Sequence, residues 1–335
     1  MLSCLLQAAW GAAPDAKPLF PAVSGIVDIH CHAAGIGSGG SGCYVSPRMA
    51  SSFKFRFYLE GFGVTRADLV ARGDSIVIDR ISEGVAASHC VGRAVILAID
   101  SAIDEDGRED LARTELYVPD RFVAAEVAKH RNLLFGASVN PLRKDAVERL
   151  AWDRDHGAVL VKWLPSIQGF DPADPRCEPF YRKLAELHLP LLCHTGIEHS
   201  FTREDQAMGD PERLRPALKL GVTVIAAHGA AGGSYFGMRG IDRLAAMMGE
   251  FPNLYADISA MTLVNRGRHF AELVQRPEFR GRLLFGTDYP LVAIRALVSP
   301  WYFPVRLPLA RIREIDALGN PWDRDVALKL SLIHI

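Results

Sequence analysis

The chain has 335 residues, 49% of them hydrophobic and 23% charged, a composition that can bury a large core in one large domain or two ordinary ones. Its formal net charge is −1 and no basic run stands out, which argues against nucleic acid or an anionic membrane as a partner. We therefore expect a small-molecule substrate, and the sequence leaves open whether the chain also forms a homo-oligomer.

The two ends of the chain and its cysteines bear on localisation. Six cysteines form no CxxC pair, which favours a reducing compartment and a cytoplasmic protein. No apolar run approaches the roughly 20 residues that a membrane-spanning helix needs. Residues 1–24 are interpreted as an N-terminal extension, and its apolar start, MLSCLLQAAWGAA, keeps export through a clipped signal as the alternative.

Eight short apolar segments rich in β-branched residues are predicted to be strands. Their near-continuous apolarity is typical of parallel strands that are covered on both faces. In chain order they are 26–32, 94–100, 133–139, 158–164, 189–194, 222–228, 254–259 and 283–288.

Segments with helical spacing alternate with these strands, at 75–88, 119–130, 145–155, 178–187, 211–219, 240–249 and 269–275. Eight β-α units predict a single-domain (β/α)8 TIM barrel over residues 25–335. The alternative is an open doubly wound sheet, which requires a phosphate-binding glycine loop that opens a helix. The glycines in GIGSGGSG are followed by no helix pattern, so we interpret them as a loop.

Two features depart from a regular barrel. The first strand and the second are separated by an insertion, and its part at 33–64 is expected to lie over the mouth of the barrel. The last helix, in WDRDVALKLSLIHI, stops in an apolar run without a glycine cap and is expected to be incomplete.

Histidines and one aspartate stand at the carboxyl ends of four predicted strands. His30 and His32 lie in IVDIHCH, two residues apart and therefore on one face of the first strand, while Ile29 and Cys31 face the other way. Because strand ends converge at the catalytic face of a barrel, these residues are expected to meet His194, His228 and Asp288. Three or four imidazoles with one carboxylate predict a divalent metal, zinc first, with iron or manganese as alternatives.

A lysine on the fourth strand is the unusual residue of the barrel interior. Lys162, in VLVKWLPS, is predicted to share a face with Leu160 and Leu164 near the rim. Three roles stay open for Lys162: it carries a carbamate that bridges two metals, it acts as a neutral amine, or it contacts a substrate carboxylate. The other candidates for contact with substrate are Trp163, Arg48, His199 and Tyr289.

These residues resemble the amidohydrolase superfamily, and GAVLVKWLPSIQGFDPAD, LPLLCHTG, LYADIS and LLFGTDYP are most similar to its decarboxylase-containing, amidohydrolase-related branch. The resemblance covers roughly residues 25–292. It implies that His30, His32, His194 and Asp288 hold one metal and that His228 polarises the substrate. In the binuclear members it implies instead a second metal held by His194, His228 and a carbamylated Lys162.

The expected reaction is hydrolysis of a small amide, lactone or ester. A water whose pKa the metal lowers would attack the carbonyl, with Asp288 as general base. The first alternative is the non-oxidative decarboxylation of a small unsaturated or aromatic acid, which also needs a cation and an aromatic slot that the sequence supplies only in scattered residues. The second alternative is a catalytically silent barrel that binds metal.

Overall fold

The computed structural model describes residues 19–20 and 25–333, so most of the extension at 1–24 lies outside the described residues, together with the segment on which export was considered. Eight parallel strands form one sheet, and each pairs with the next along the chain. They are β1 (Ile26–His32), β2 (Val91–Leu97), β3 (Leu133–Ala137), β4 (Ala158–Trp163), β5 (Leu191–His194), β6 (Val224–Ala227), β7 (Leu254–Asp257) and β8 (Leu283–Leu284).

The sheet curls until β1 meets the segment that follows β8. The amide of Ile29 donates to the carbonyl of Phe285 (3.2 Å), and the amide of His32 donates to the carbonyl of Tyr289 (2.9 Å). The amide of Asp288 donates to the carbonyl of His30 (2.9 Å). The predicted (β/α)8 barrel is therefore confirmed, with a seam held by single hydrogen bonds instead of a long ladder.

Two predicted strands differ from the observed ones in a way that matters for the site. The second strand lies three residues earlier than predicted, and the eighth ends at Leu284, four residues before Asp288. Asp288 has a φ of 65°, outside the β region, and the amide of Thr287 donates to the buried carboxylate of Asp28. After Leu284 the run LLFGTD therefore keeps only single hydrogen bonds to β1, and Thr287 bonds to the side chain of Asp28.

The interior of the barrel is filled by aliphatic side chains from alternating strand positions. One buried layer consists of Val95, Leu97, Leu160, Leu192, Ile225 and Ala227. Polar side chains replace this layer only at the carboxyl ends of the strands. The barrel is thus a packed core with one polar end, as expected for this fold.

The described helices include all seven predicted segments to within a few residues, except that 211–219 begins as a 3-10 turn over Pro211–Leu214. They are α1 (Pro47–Ser51), α2 (Phe53–Phe62), α3 (Arg66–Arg72), α4 (Ser75–Ala86), α5 (Asp120–Val127), α6 (Ala146–Asp155), α7 (Pro165–Gln168), α8 (Glu178–Glu186), α9 (Arg215–Lys219), α10 (Gly240–Glu250), α11 (Gly267–Gln275), α12 (Leu309–Asp316) and α13 (Pro321–Ile333).

The glycine-rich segment after β1 is a loop closed around one carboxylate. The backbone amides of Ile36, Gly37 and Ser38 all donate to Asp74, at 2.9–3.1 Å. A Cβ at Gly35 would lie 2.4 Å from an oxygen of Asp74, so only glycine fits this approach. The amides of this loop therefore bind the carboxylate of Asp74. This agrees with the interpretation of the segment as a loop that binds no phosphate.

The rest of the insertion forms two capped helices beside the mouth. The side chain of Ser46 accepts from the amide of Met49 at the start of α1, and that of Ser52 accepts from the amide of Phe55 at the start of α2. Gly63 ends α2 in the left-handed conformation, with a φ of 69°. The caps fix both helices next to the end of β1.

The last helix, expected to be incomplete, is 13 residues long as α13, and the side chain of its Trp322 is buried. The indole of Trp322 donates to Asp28 and stacks on Tyr289 with ring centroids 4.5 Å apart. Through these contacts α13 supports the seam between β1 and β8.

Within the described ranges, no helix is both long enough and apolar enough to cross a membrane. The five cysteines that the structure describes are free and buried. Cys31 and Cys193, beside two predicted metal ligands, pack into the core between strands and helices.

Candidate active site

Seven titratable side chains meet at the carboxyl end of the barrel, and each is placed by the end of a strand. His30 and His32 lie on β1, Lys162 on β4, His194 at the end of β5, His228 directly after β6, Asp257 at the end of β7, and Asp288 after β8. All except His32 belong to buried residues. The five positions predicted from sequence and Lys162 are thus brought to one region.

An irregularity in β1 turns His30 into the barrel. The pairing of β1 with β2 shifts register between Asp28 and Cys31. Ile29 packs with the interior layer, so the prediction that Ile29 faces away from His30 and His32 was wrong. The extra residue in the strand lets Ile29, His30 and His32 all face inward, which strict alternation forbids.

Four atoms surround one point at the centre of the cluster. Nε2 of His30 lies 3.2 Å from Nε2 of His32, and these two nitrogens lie 3.4 and 3.3 Å from Oδ1 of Asp288. Nζ of Lys162 lies 2.9 Å from Nε2 of His30. His228 faces the other oxygen of Asp288, with 4.0 Å between Nε2 and Oδ2.

These separations fit a metal. Two ligands bound to one tetrahedral zinc at about 2.05 Å from it are about 3.4 Å apart. His30 has its Nδ1 hydrogen directed to a carboxylate, so its Nε2 presents a lone pair toward the carboxylate oxygen of Asp288. Lone pairs this close repel unless a donor or a cation faces them, a role that the amine of Lys162 fills for His30 and that a metal would fill for all three atoms; ligand atoms of His30, His228 and Asp288 also lie within 4.8 Å of one another.

Asp257 fixes the orientation of two histidines. Its Oδ2 accepts from Nδ1 of His30 at 2.7 Å, and its Oδ1 accepts from the amides of His228 (2.8 Å) and Ser259 (3.1 Å). The hydroxyl of Ser259 lies 2.8 Å from Nδ1 of His228. A carboxylate behind a ligating histidine fixes the tautomer and raises the basicity of the ring. The sequence analysis did not select Asp257, although it stands at a strand end like the residues that were selected.

His194 lies beside His228, with ring centroids 5.0 Å apart, and a second carboxylate lies behind it. Oε2 of the buried Glu198 is 3.3 Å from Nδ1 of His194. Nε2 of His194 is buried and has no hydrogen-bond partner among the residues described. An orphaned ring nitrogen in this position suits a metal ligand. Glu198 was also missed, because it lies on a loop where the sequence gives no periodic signal.

The protonation states of these side chains also suit a metal site. Burial lowers the pKa of His32 and of His194 to about 4, and it lowers the pKa of His228 well below its usual range. Burial alone would raise the pKa of Asp288, but the neighbouring His228 and His30 hold that pKa well below the usual range. Neutral imidazoles and an ionised carboxylate are the forms that bind a metal. Burial also lowers the pKa of Lys162, against the effect of Asp288.

A cavity of about 560 Å³ leads from this cluster to the surface, with His32, His194, His228 and Asp288 at its inner end. Most of its wall is apolar. The insertion contributes Ala33, Ala34, Met49, Phe53, Lys54, Phe55, Phe57, Tyr58 and Phe62, and later segments contribute Ile99, Leu116, Leu164, Phe201, Leu263, Leu291 and Leu297. Segment 33–64 therefore walls the cavity at the mouth.

Arg266, on the loop after β7, also lines this cavity and was missed by the sequence analysis. Its Nη2 donates to the carbonyl of Ile197 at 3.0 Å. Its Nη1 is buried and has no partner within the described part of the chain. Burial lowers the pKa of Arg266, while Asp288 and Glu198 act in the opposite direction. The guanidinium thus has a free donor near the reactive cluster.

The predicted substrate contacts divide into two groups. Lys162 is in the central cluster, and His199 lines the cavity with a largely exposed ring. Trp163 faces the helix layer, where its indole donates to the carbonyl of Val139 and packs on Phe180, so it does not line the cavity.

Tyr289 and Arg48 also lie outside the cavity wall. The hydroxyl of Tyr289 donates to the carbonyl of Gly61 at 2.9 Å, which ties α2 to the seam of the barrel. Arg48 is exposed and donates to the carbonyl of Thr202 at 2.8 Å. Both side chains hold the walls of the mouth together, a role that the sequence cannot distinguish from contact with substrate.

Comparison with known proteins identifies the relatives of this barrel. A family model described as amidohydrolase matches residues 27–308. No curated protein matches the chain.

Among solved structures, the chain resembles the uncharacterised TIM-barrel protein Bb4693 from Bordetella bronchiseptica, with a TM-score of 0.56 and 18% identity over 91% of this chain and 99% of that one. A 2,6-dihydroxybenzoate decarboxylase from Rhizobium matches with a TM-score of 0.48 and 14% identity over 93% and 99% of the two chains. A dihydroorotase from Campylobacter jejuni matches with a TM-score of 0.42 and 14% identity over 92% and 81%. The first of these likenesses shows the fold alone.

Proposed function

The chain belongs to the amidohydrolase family, and from this premise we propose that it is a metal-dependent hydrolase of a small amide, lactone or ester. The observation that carries the proposal is the central cluster at the end of the apolar cavity. There, Nε2 of His30, Nε2 of His32 and Oδ1 of Asp288 lie 3.2–3.4 Å from one another.

One divalent metal is the simplest occupant, with His30, His32, His194 and Asp288 as its ligands. Zinc is the first candidate, because three imidazoles and a carboxylate suit it, and manganese or iron is the alternative. When bound, the metal would supply a water of lowered pKa and would polarise the substrate carbonyl. A second ion on His194, His228 and a carbamylated Lys162 is the competing arrangement.

Asp288 is proposed as the general base and then the general acid. Its carboxylate is ionised at neutral pH and one oxygen, Oδ2, faces the cavity side of His228. It takes a proton from the attacking water as the bond from oxygen to the carbonyl carbon forms. It then gives that proton to the leaving nitrogen or oxygen as the scissile bond breaks.

His228 is proposed to stabilise the oxyanion that forms on the carbonyl. In the tautomer with its hydrogen on Nε2, Nδ1 accepts from the hydroxyl of Ser259 at 2.8 Å and Nε2 presents a donor to the substrate. A donor fixed in this way needs no reorganisation during the reaction. The apolar wall excludes water from the rest of the substrate.

The proposal is tested by following solvent oxygen. The metal-loaded enzyme is screened against amides, lactones and esters in water enriched in oxygen-18, and the products are weighed by mass spectrometry. We expect one heavy oxygen in the product acid, and no turnover in His30→Ala, which should also lack metal. Metal content of two equivalents with a carbamate on Lys162 would replace the single-metal arrangement.

Arg266 favours a second candidate, the decarboxylation of an unsaturated or aromatic acid. Its buried Nη1 has no partner in the described structure, and the cavity beside it carries aromatic side chains such as Phe55 and Tyr58. A guanidinium and an aromatic slot are the parts that this reaction needs in addition to the metal. Release of carbon dioxide without entry of solvent oxygen into the organic product would establish this reaction in place of hydrolysis.

A further inference from the structure

A second cavity, of about 400 Å³, is bounded by the start of α5 and one face of α6. It shares no lining residue with the cavity of the active site. Four carboxylates line it, from Asp120, Asp145, Glu148 and Asp153. Two of these four residues, Asp120 and Asp153, are buried.

Asp153 is the unusual member of this group. The residue is 1% exposed, and both of its carboxylate oxygens are buried without a hydrogen-bond partner among the described residues. Asp120 is 8% exposed, and its Oδ1 accepts from the amide of Ser138 at 2.7 Å. Native proteins rarely bury a carboxylate with neither oxygen satisfied, so this cavity is missing a partner for Asp153.

The charge of Asp153 also opposes the ionisation of Asp120. Burial raises the pKa of Asp153 to about 7. Burial raises the pKa of Asp120 further above its usual range, and the charge of Asp153 adds to that rise. Such a pair is stabilised by a shared proton or by a cation held between the two groups.

The arginines of the cavity bind elsewhere. Arg149 donates from Nε to Asp145 at 2.8 Å. The guanidinium of Arg121 lies over the ring of Trp152, 4.5 Å from its centroid. The charges of both arginines favour the ionised form of Asp153, but neither guanidinium donates a hydrogen bond to it, so both of its oxygens stay without a partner among the described residues.

We propose that this cavity binds one small, hard divalent cation, Ca²⁺ or Mg²⁺, between the carboxylates of Asp120 and Asp153. The donors are oxygens, which these ions prefer. The remaining volume is large enough for the waters that complete their coordination.

The position of the site gives the ion a structural consequence. Ser138, whose amide donates to Asp120, also donates from its hydroxyl to the carbonyl of Lys162 at 2.8 Å. A cation on Asp120 would therefore stiffen the ends of β3 and β4, and β4 carries Lys162. The bound ion should raise the thermal stability of the enzyme without taking part in its chemistry.

The test uses the enzyme already loaded with zinc, so that the active site does not take up the added ion. CaCl₂ and MgCl₂ are titrated into it by calorimetry, and the melting temperature is followed in parallel. We expect one site and a rise in melting temperature. In Asp153→Asn the affinity should fall about tenfold or more, because one ligand charge is lost. The matched control is Asp155→Asn, an exposed residue of the same helix, which should bind as the wild type does.

Asp120→Asn serves as the second variant should Asp153→Asn fail to fold. Equal binding in Asp153→Asn and Asp155→Asn overturns the assignment. So does a wild type that binds neither ion and whose melting temperature neither ion changes; a stability of Asp153→Asn equal to or above that of the wild type would then show that the pair shares a proton. Binding of methylammonium in place of both metal ions would likewise overturn it, in favour of an amine site.

Discussion

Replacing Asp257 by asparagine tests whether the carboxylate behind His30 organises the metal ligands. Three N–H donors point at its two oxygens, from the ring of His30 and from the amides of His228 and Ser259. An asparagine amide has one oxygen and one NH₂ group. In either orientation its NH₂ faces at least one donor, so a buried N–H loses its acceptor.

The size of the effect follows from these contacts. One buried donor without a partner costs about 1–3 kcal/mol of folding free energy. His30 also loses the group that fixes its tautomer, and loss of such an outer partner typically weakens metal binding by about 10–100-fold. That factor corresponds to about 1.4–2.7 kcal/mol of binding free energy. We therefore expect Asp257→Asn to be less stable by about 1–3 kcal/mol and to bind zinc about 10–100 times more weakly.

The assay is competition for zinc with a chromophoric chelator, and urea unfolding measures stability. The matched control is Asp323→Asn, because Asp323 is also buried and accepts from several donors, including the hydroxyl of Ser88 (2.6 Å) and the amide of His89 (2.9 Å), away from the metal ligands. It should lose stability and keep its zinc affinity. The reasoning is refuted if both variants lose the same stability and both bind zinc like the wild type.

Three further predictions concern the reaction, the substrate and pH. Asp288→Asn, assayed with saturating metal, should lower kcat by about 10²–10⁴-fold, since a general base is lost, and a loss below about tenfold would contradict that role. Arg266→Gln should raise KM for carboxylate-bearing substrates by about tenfold or more. The control Arg268→Gln, at an exposed arginine two residues away, should leave KM unchanged. An equal rise in KM for neutral analogues would exclude an anion contact. In the metal-free chain the pKa of His32 and of His194 is lowered to about 4. Their neutral forms therefore contribute fully to folding stability above pH 6.5, and that contribution, up to about 3 kcal/mol each, is lost as the pH falls from 6.5 to 4. Unfolding curves in chelator at pH 7 and 4.5 measure the loss, and identical stabilities at the two pH values would refute the lowered pKa values.

The barrel could be predicted because its sequence signal is local and repeated. Each strand is an apolar run, and several runs end at or just before a polar residue near the catalytic face, as β5 does at His194. This is enough to predict which side chains meet, because parallel strands place their carboxyl ends together. It does not predict their distances, which depend on the register shift in β1 that turns His30 inward.

The residues that were missed differ in the kind of information they required. Asp257 carried a readable signal, since it ends β7 as the ligands end their own strands, but the sequence analysis weighed histidines first. Glu198 and Arg266 lie on loops, and a loop residue reaches the site through contacts distant in the chain, such as the bond from Arg266 to the carbonyl of Ile197. Trp163 was wrongly predicted to contact substrate because it is an aromatic residue next to Lys162. Side chains alternate along β4, so Trp163 faces the helices instead.

The cavity and the cluster together restrict what a substrate can be. Polar atoms available to a ligand are concentrated at the inner end, where Asp288 and His228 lie, and at Arg266, while the insertion presents residues such as Phe55 and Met49. An apolar wall favours a substrate whose reactive carbonyl is attached to a hydrophobic body, because burying that body supplies binding free energy of about 25 cal/mol per Å². The same wall cannot distinguish closely related hydrophobic bodies, since one methylene is worth only about 1–3 kcal/mol in such a pocket. Selectivity must therefore come from the polar groups of the cavity, among them Arg266, whose Nη1 has no partner within the described residues.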